Sequence, residues 1–201
     1  MAKQEKLRFT ATEYLRMERA SETKHEFSFG EIYAVSRASA PHVSIVTNLV
    51  GELSNRLRRF PAHVYGTNLR LCVDATKRYT YPDVMVVCDK PQFFDAQLDT
   101  LLNPDLIVEV LSESTEGYDR GDKFTHYKSI PSCREYLLVA QHRSHITQYV
   151  KQDEGSWRYS EVNEMAARLH LPSVDCLLEL HEVYQDITFP TEPLPNIQWP
   201  S

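Results

Sequence analysis

The sequence predicts an α/β fold, with helices packed on a mixed sheet. Three observations carry this prediction. Apolar side chains recur every three or four positions over residues 41–59, the spacing of an amphipathic helix. Residues 105–111 are apolar almost without alternation, which is typical of a central strand covered on both faces. A strand, helix, strand order over residues 105–140 predicts a right-handed parallel crossover.

The N-terminal part predicts a short helix followed by a hairpin. Residues 10–19 place apolar side chains at near-helical spacing after a cap at Thr10 or Thr12. Residues 25–36 carry aromatic and aliphatic side chains on both sides of Gly30, so two short strands should join at that glycine.

The middle of the chain supplies the rest of the predicted core. Residues 62–73 and 79–88 are rich in strand-forming residues and flank a polar turn, so they should pair as one antiparallel hairpin. Residues 119–130 predict a short helix that begins at Asp119 as its N-cap and ends before Pro131.

The C-terminal part predicts a β meander and then a tail. Strand patterns at residues 146–150 and 157–162 form the meander. Four prolines after residue 186 favour an extended arm over regular structure. We therefore expect a single domain over residues 1–189 and a Pro-rich tail over residues 190–201.

Composition excludes several classes of protein. The 201 residues are 42% hydrophobic and 25% charged, which is ordinary for a globular domain. No apolar run reaches the roughly 18 residues of a membrane span, and the polar N-terminus leads into no signal-peptide core. We expect a cytoplasmic protein without a membrane partner. Its net charge of −6 argues against a general nucleic-acid coat protein.

The four cysteines form no close pair in the sequence and lie mostly in apolar strand-like runs. This pattern favours reduced core thiols. A zinc site that combines some of them with histidines is the less favoured alternative.

Two carboxylates carry the most chemical information. Glu109 lies in the middle of an apolar strand, where an unpaired charge is very costly, so it needs a cation. Asp83 follows Pro82 at the entrance of another apolar strand. Together they suit Mg²⁺ or Mn²⁺, which prefer hard oxygen ligands. For either acid alone, a salt bridge or solvation at a strand end is the alternative explanation.

These residues, together with several short motifs, resemble those of a known family. The sequence resembles the PD-(D/E)xK nuclease superfamily and, more specifically, the Uma-type family of restriction endonuclease-like proteins, over residues from about 10 to about 189. The motifs that carry the resemblance are KHE at 24–26, GEIY at 30–33, His42, YPDV at 81–84, LIVEVLS at 106–112, DRGDKF at 119–124 and PSCREY at 131–136. The resemblance implies a restriction endonuclease-like core of helix, strand, strand, strand, helix, strand, with an N-terminal helix and hairpin and a C-terminal β meander.

The resemblance also implies a metal-dependent endonuclease that hydrolyses DNA. Asp83, Glu109 and the Val110 carbonyl would hold Mg²⁺ or Mn²⁺. The superfamily places a lysine two residues after the second acid, but this chain has Leu111 there. Lys123, in the helix that follows, is the candidate replacement and Lys128 the weaker one. The alternative is a solvated Lys123 paired with Asp119 at i,i+4.

Other residues are candidates for supporting roles. Glu26 would add an outer carboxylate, and His42 at a helix start would contact a phosphate or assist catalysis, although a surface acid and a capping histidine are alternatives. Residues 56–78 hold six Lys or Arg and one acid, a local charge of +5, which predicts a track for the DNA backbone unless they form only a solvated helix end and turn. The six are Arg56, Arg58, Arg59, Arg70, Lys77 and Arg78.

Two other functions fit the same residues. A catalytically silent domain that binds nucleic acid or a partner protein would explain Leu111 and the acidic net charge. A metal-dependent phosphoesterase for small nucleotides would need no basic groove. For the nuclease, we expect a homodimer, because cutting both strands is simplest with two symmetric sites, and the Pro-rich tail would suit a clasp between the two copies.

Overall fold

A computed structural model describes residues 8–112, 117 and 119–190, and in these residues thirteen strands form three sheets. The helices of this part are α1 Ala11–Ala20, α2 Ala40–Leu57, α3 Phe124–Tyr127 and α4 Leu180–Val183. The strands are β1 His25–Ser28, β2 Glu31–Ala34, β3 His63–Gly66, β4 Arg70–Val73, β5 Arg78–Thr80, β6 Val84–Val87, β7 Thr100–Leu101, β8 Leu106–Leu111, β9 Glu135–Ala140, β10 Ile146–Lys151, β11 Trp157–Val162, β12 Arg168–Leu171 and β13 Cys176–Glu179.

The largest sheet has six strands in the order β11-β10-β9-β8-β6-β3. Strand β8 runs parallel to β9 and antiparallel to β6, and all six of its residues are buried. Strands β9, β10 and β11 follow each other in antiparallel pairing. The predicted central strand, parallel crossover and C-terminal meander are confirmed.

The predicted hairpin of residues 62–73 and 79–88 is antiparallel as expected, but its strands are not continuous. One half, β3 with β6, belongs to the six-stranded sheet, while the other half, β4 with β5, joins a five-stranded sheet ordered β2-β1-β5-β4-β7. The break falls at residues 81–83, where Pro82 has no N–H to give to a ladder. Asp83 therefore lies at the bend between two sheets.

Both faces of the six-stranded sheet are covered, which explains why β8 is apolar at nearly every position. Helix α2 packs on one face with Ile45, Leu49 and Leu53, together with the β12 and β13 hairpin and α4. The other face packs against Tyr127 and Ile130 and against residues of the second sheet.

The N-terminal helix and hairpin form as predicted. Thr10 caps α1 in a reciprocal capping box with Glu13. Strands β1 and β2 pair antiparallel through a two-residue turn of Phe29 and Gly30, both with positive φ. The hairpin joins the second sheet through the pairing of β1 with β5.

The segment after β8 differs from the prediction. Residues Asp119–Lys123 form a π-helical turn that leads into α3, and the helix ends before Pro131. The expectation that Asp119 caps this helix is wrong, because its carboxylate instead lies 3.0 Å from the Lys123 ammonium within the turn. A π-turn widens the helix by one residue, and such turns are frequent at functional sites.

The four cysteines are free thiols, and three of them are buried. No helix in the described part of the chain is long and apolar enough to cross a membrane. The predicted Pro-rich tail lies outside the described residues beyond Pro190.

Candidate active site

Asp83 lies at the entrance of β6, held from two sides. The backbone N–H of Val110 on β8 donates to Oδ2 at 2.8 Å, and His42 Nε2 lies 3.0 Å from Oδ1. His42 is in the first turn of α2, which Ser39 caps by accepting from the His42 N–H. The first turn of α2 and the C-terminal end of β8 therefore hold the Asp83 carboxylate at the bend between the sheets.

Glu109 is buried in β8 and points to the face that carries the π-turn. Its Oε1 accepts a hydrogen bond from the Tyr127 hydroxyl at 2.7 Å and lies 3.1 Å from Lys123 Nζ. Lys123 also lies 3.0 Å from Asp119 Oδ1. One buried ammonium thus joins two buried carboxylates, which answers why a strand with a central glutamate is tolerated.

The electrostatics of this group follow from its burial. Loss of water raises the pKa of Glu109, the Lys123 ammonium lowers it, and the charges of Asp119 and Asp83 raise it. Burial by itself lowers the pKa of Lys123, but Glu109 and Asp119 outweigh burial, and the net shift is upward. Lys123 is therefore a stable cation held next to a carboxylate that is costly to ionise.

Glu26 extends the site from the hairpin side. It accepts a hydrogen bond from the Thr80 hydroxyl and lies 3.4 Å from Arg78 Nη2. Its charge contributes to the raised pKa values of Lys123 and Tyr127. The Glu26 carboxylate, predicted as an accessory group, therefore acts on Lys123 through its charge. Its contacts are with Thr80 and Arg78.

The described residues offer few side-chain ligands for the metal that the sequence predicts. Among the described residues, no three His, Cys, Asp or Glu side chains form a cluster able to hold a metal ion. Mg²⁺ is usually held by one or two carboxylates, with waters and substrate phosphates completing its shell. Two carboxylates such as Asp83 and Glu109 are a suitable donor set for it, and their role as ligands stays a prediction. Val110 reaches Asp83 through its N–H, and a ligand role for its carbonyl stays a prediction.

Comparison with known proteins agrees with this architecture. The sequence matches the Uma2 family, described as "Putative restriction endonuclease", over residues 11–181. The chain belongs to the Uma2 family. Two uncharacterized proteins of Synechocystis sp. are similar: sll1609, 37% identical over 76% of this chain and 86% of its own length, and slr1290, 36% identical over 88% of this chain and 92% of its own length.

A solved structure supports the fold of this Uma2 chain. A protein from Anabaena variabilis ATCC 29413, described as a putative nuclease belonging to DUF820, superposes with a TM-score of 0.72 at 17% sequence identity. The match covers 88% of this chain and 97% of the other. The Uma2 chain therefore has the restriction endonuclease-like fold that the sequence predicts.

The six basic residues predicted to form one track do not share an exposed surface in the Uma2 chain. Arg70 and Arg78 are only 3% and 5% exposed and pair with Asp99 and Glu26. Arg56 pairs with Glu52 and Glu182 and donates to the Leu177 carbonyl, at the opposite end of α2 from His42. Three of the six remain on the surface: Arg58, Arg59 and Lys77. Their contact with nucleic acid stays a prediction.

Tyr127 was not among the predicted site residues, although its hydroxyl donates a hydrogen bond to Glu109. A signal was present, because Tyr127 follows Lys123 by four residues and such pairs share one helix face. The same spacing joins Asp119 to Lys123. Lys128 Nζ instead lies 5.8 Å above the Phe124 ring, so it is not part of the Glu109 cluster of the Uma2 chain.

Proposed function

We propose that this protein is a metal-dependent endonuclease that hydrolyses phosphodiester bonds in DNA. The observation that carries the proposal is the position of Lys123, whose Nζ lies 3.1 Å from Glu109 Oε1. Leu111, which stands where the superfamily has its lysine, is buried in the core. A lysine from the π-turn thus supplies the cation that the strand lacks.

Each residue of the site has a defined role in this proposal. Asp83 and Glu109 would hold Mg²⁺ or Mn²⁺, which when bound makes a water more acidic and neutralises charge on the phosphate. His42 and the Val110 N–H keep Asp83 in place, and Tyr127 orients Glu109. Lys123 adds a fixed positive charge where the transition state becomes more negative.

The test of the proposal is cleavage of supercoiled plasmid. Purified protein is incubated at low salt with Mg²⁺, Mn²⁺ or EDTA, beside Asp83→Ala prepared identically. We expect nicked or linear product only with wild type and metal, because Asp83→Ala removes a proposed ligand. Thermal melting of Asp83→Ala shows whether the fold survives the loss of its contacts with His42 and the Val110 N–H. Equal cleavage by Asp83→Ala would identify a contaminant and refute this assignment.

The two alternative functions give different results in the same experiment. A catalytically silent domain leaves plasmid intact in both metals and has no activity for Asp83→Ala to remove. A small-nucleotide phosphoesterase leaves plasmid intact but hydrolyses a small phosphodiester. Cutting both strands is simplest with two symmetric sites, so we expect the active species to be a homodimer, which light scattering measures.

Metal binding itself provides a second prediction. Titration of Mn²⁺, followed by calorimetry, should show weaker binding to Glu109→Gln than to wild type, because the amide removes one of the two anionic ligands. Glu135→Gln is the matched control, since Glu135 is also a buried strand glutamate but hydrogen-bonds Gln148 and Ser173 on a different part of the sheet. Equal affinity of wild type and Glu109→Gln would remove Glu109 from the proposed site.

A further inference from the structure

The turn at the tip of the β1–β2 hairpin places a phenylalanine, Phe29, in a left-handed backbone conformation. Phe29 has a φ of 51° and Gly30 a φ of 86°, the two positive values of a type I′ turn. Such turns favour Asn, Asp or Gly at the first position, and a bulky residue there is strained. Phe29 is also 68% exposed. A strained backbone and an exposed aromatic ring together indicate that Phe29 has a function other than stabilising the fold.

A cleft of about 480 Å³ opens beside this tip, lined by Phe27, Phe29 and the turn before β5. Lys77 also lines the cleft, and its 70% exposed side chain forms an ion pair with the exposed Asp74. An exposed pair of this kind is weak and exchanges readily for a phosphate. The cleft therefore combines an aromatic face with an exposed cation.

The other flank of the tip repeats this combination. Arg8 packs closely against Gly30: a Cβ atom added to Gly30 would lie 3.1 Å from the Arg8 Cβ. Phe9, 42% exposed, is tied to the turn by a 2.9 Å hydrogen bond from its N–H to the Gly30 carbonyl. Aromatic faces between cations are how proteins bind unpaired nucleic acid, because bases stack on the rings and phosphates meet the charges.

The tip lies next to the candidate active site. The Phe29 ring centroid is 6.1 Å from that of His126. His126 follows Lys123 by three residues, and Lys123 contacts Glu109. The hairpin tip therefore contacts α3, the helix that begins directly after Lys123.

We propose that the hairpin tip binds an unpaired base of the substrate by stacking it on Phe29, while Lys77 and Arg8 contact the flanking phosphates. The inference rests on the proposed function for its choice of substrate. It specifies that substrate as single-stranded or locally opened DNA rather than intact duplex.

The test measures binding without cleavage. Anisotropy of a labelled single-stranded oligonucleotide in EDTA is compared for wild type, Phe29→Asn and Phe29→Trp. Because base stacking on an aromatic residue is sensitive to truncation, we expect Phe29→Asn to weaken binding by roughly tenfold or more and Phe29→Trp to retain it. Asn suits a left-handed turn, so Phe29→Asn should melt at a higher temperature than wild type, which separates lost binding from unfolding.

Tyr159→Asn is the matched control, since Tyr159 is an exposed aromatic residue on the edge strand β11. We expect it to bind like wild type. Unchanged affinity of Phe29→Asn, equal binding of an abasic strand, or tighter binding of duplex than of single strand would each overturn the inference. Phe29-dependent binding without any cleavage would sustain this inference while refuting the nuclease proposal.

Discussion

Replacing Lys123 with methionine is expected to slow plasmid cleavage by about 10²–10³-fold, the usual effect of removing one fixed group that stabilises transition-state charge. Methionine keeps most of the volume of the buried side chain and removes its ammonium. Initial rates of nicking at saturating Mg²⁺ measure the effect. The loss should fall on kcat more than on KM, because Lys123 is buried between Glu109 and Asp119 and contributes little to general DNA affinity.

Lys128→Met is the matched control, because it also removes one lysine charge from the same part of the chain. Lys128 lies over the Phe124 ring and outside the Glu109 cluster, so its removal should leave the cleavage rate near that of wild type. Thermal melting of both variants shows whether they are folded, since Lys123→Met also leaves two buried carboxylates without their cation. A folded Lys123→Met that cleaves at the wild-type rate would reduce Lys123 to a structural ion pair.

A second variant tests whether the cation or its place in the chain matters. Leu111 lies two residues after Glu109 in β8, so both side chains point to the same face of the sheet. The double variant Leu111→Lys with Lys123→Met moves the lysine from the π-turn to the strand. We expect it to recover part of the activity that Lys123→Met loses. No recovery in a folded double variant would mean that the π-turn position itself is required.

The elements predicted best from sequence are those in which one periodic signal decides the structure. The apolar spacing of residues 41–59 and the continuous apolar run at residues 105–111 predict α2 and β8 because burial on one or both faces dictates each pattern. Glu109 was informative for the same reason. A charge inside a buried strand demands a nearby cation, and the structure supplies Lys123.

The predictions that were wrong depended on which way a chain segment bends. Charge counting over residues 56–78 cannot distinguish an exposed arginine from a buried one, and the bend at Pro82 turns β5 and β4 into a second sheet. As a result Arg70 and Arg78 face inward, toward carboxylates that are distant in the sequence. Tyr127 was missed because an isolated tyrosine in a short helix usually indicates core packing.

Arg70 leads to the prediction with the largest expected effect on stability, which concerns Asp99. The Arg70 guanidinium is 3% exposed, and its Nη2 lies 2.9 Å from Asp99 Oδ2. Replacing Asp99 with asparagine leaves this buried cation without its carboxylate, so we expect a loss of about 3 kcal/mol in the free energy of unfolding. Urea denaturation at pH 7 measures it. Asp95→Asn is the matched control, because Asp95 and Asp99 share the more exposed Arg19, whereas the buried Arg70 pairs with Asp99. Asp95→Asn should cost at most about 1 kcal/mol.

Asp99 also pairs with Arg19, and this second pairing dominates how the effect changes with pH. Hydrogen bonds from Arg19 hold the pKa of Asp99 well below its usual range, although burial opposes them. Because the folded-state pKa is lowered, the stabilisation is complete above the pKa of an unfolded aspartate, about 3.9, and is lost as the pH falls below it. The difference in unfolding free energy between wild type and Asp99→Asn should therefore shrink between pH 7 and about pH 3. A difference that stays constant over this range would show that Asp99 stabilises the fold through its shape and not through its charge.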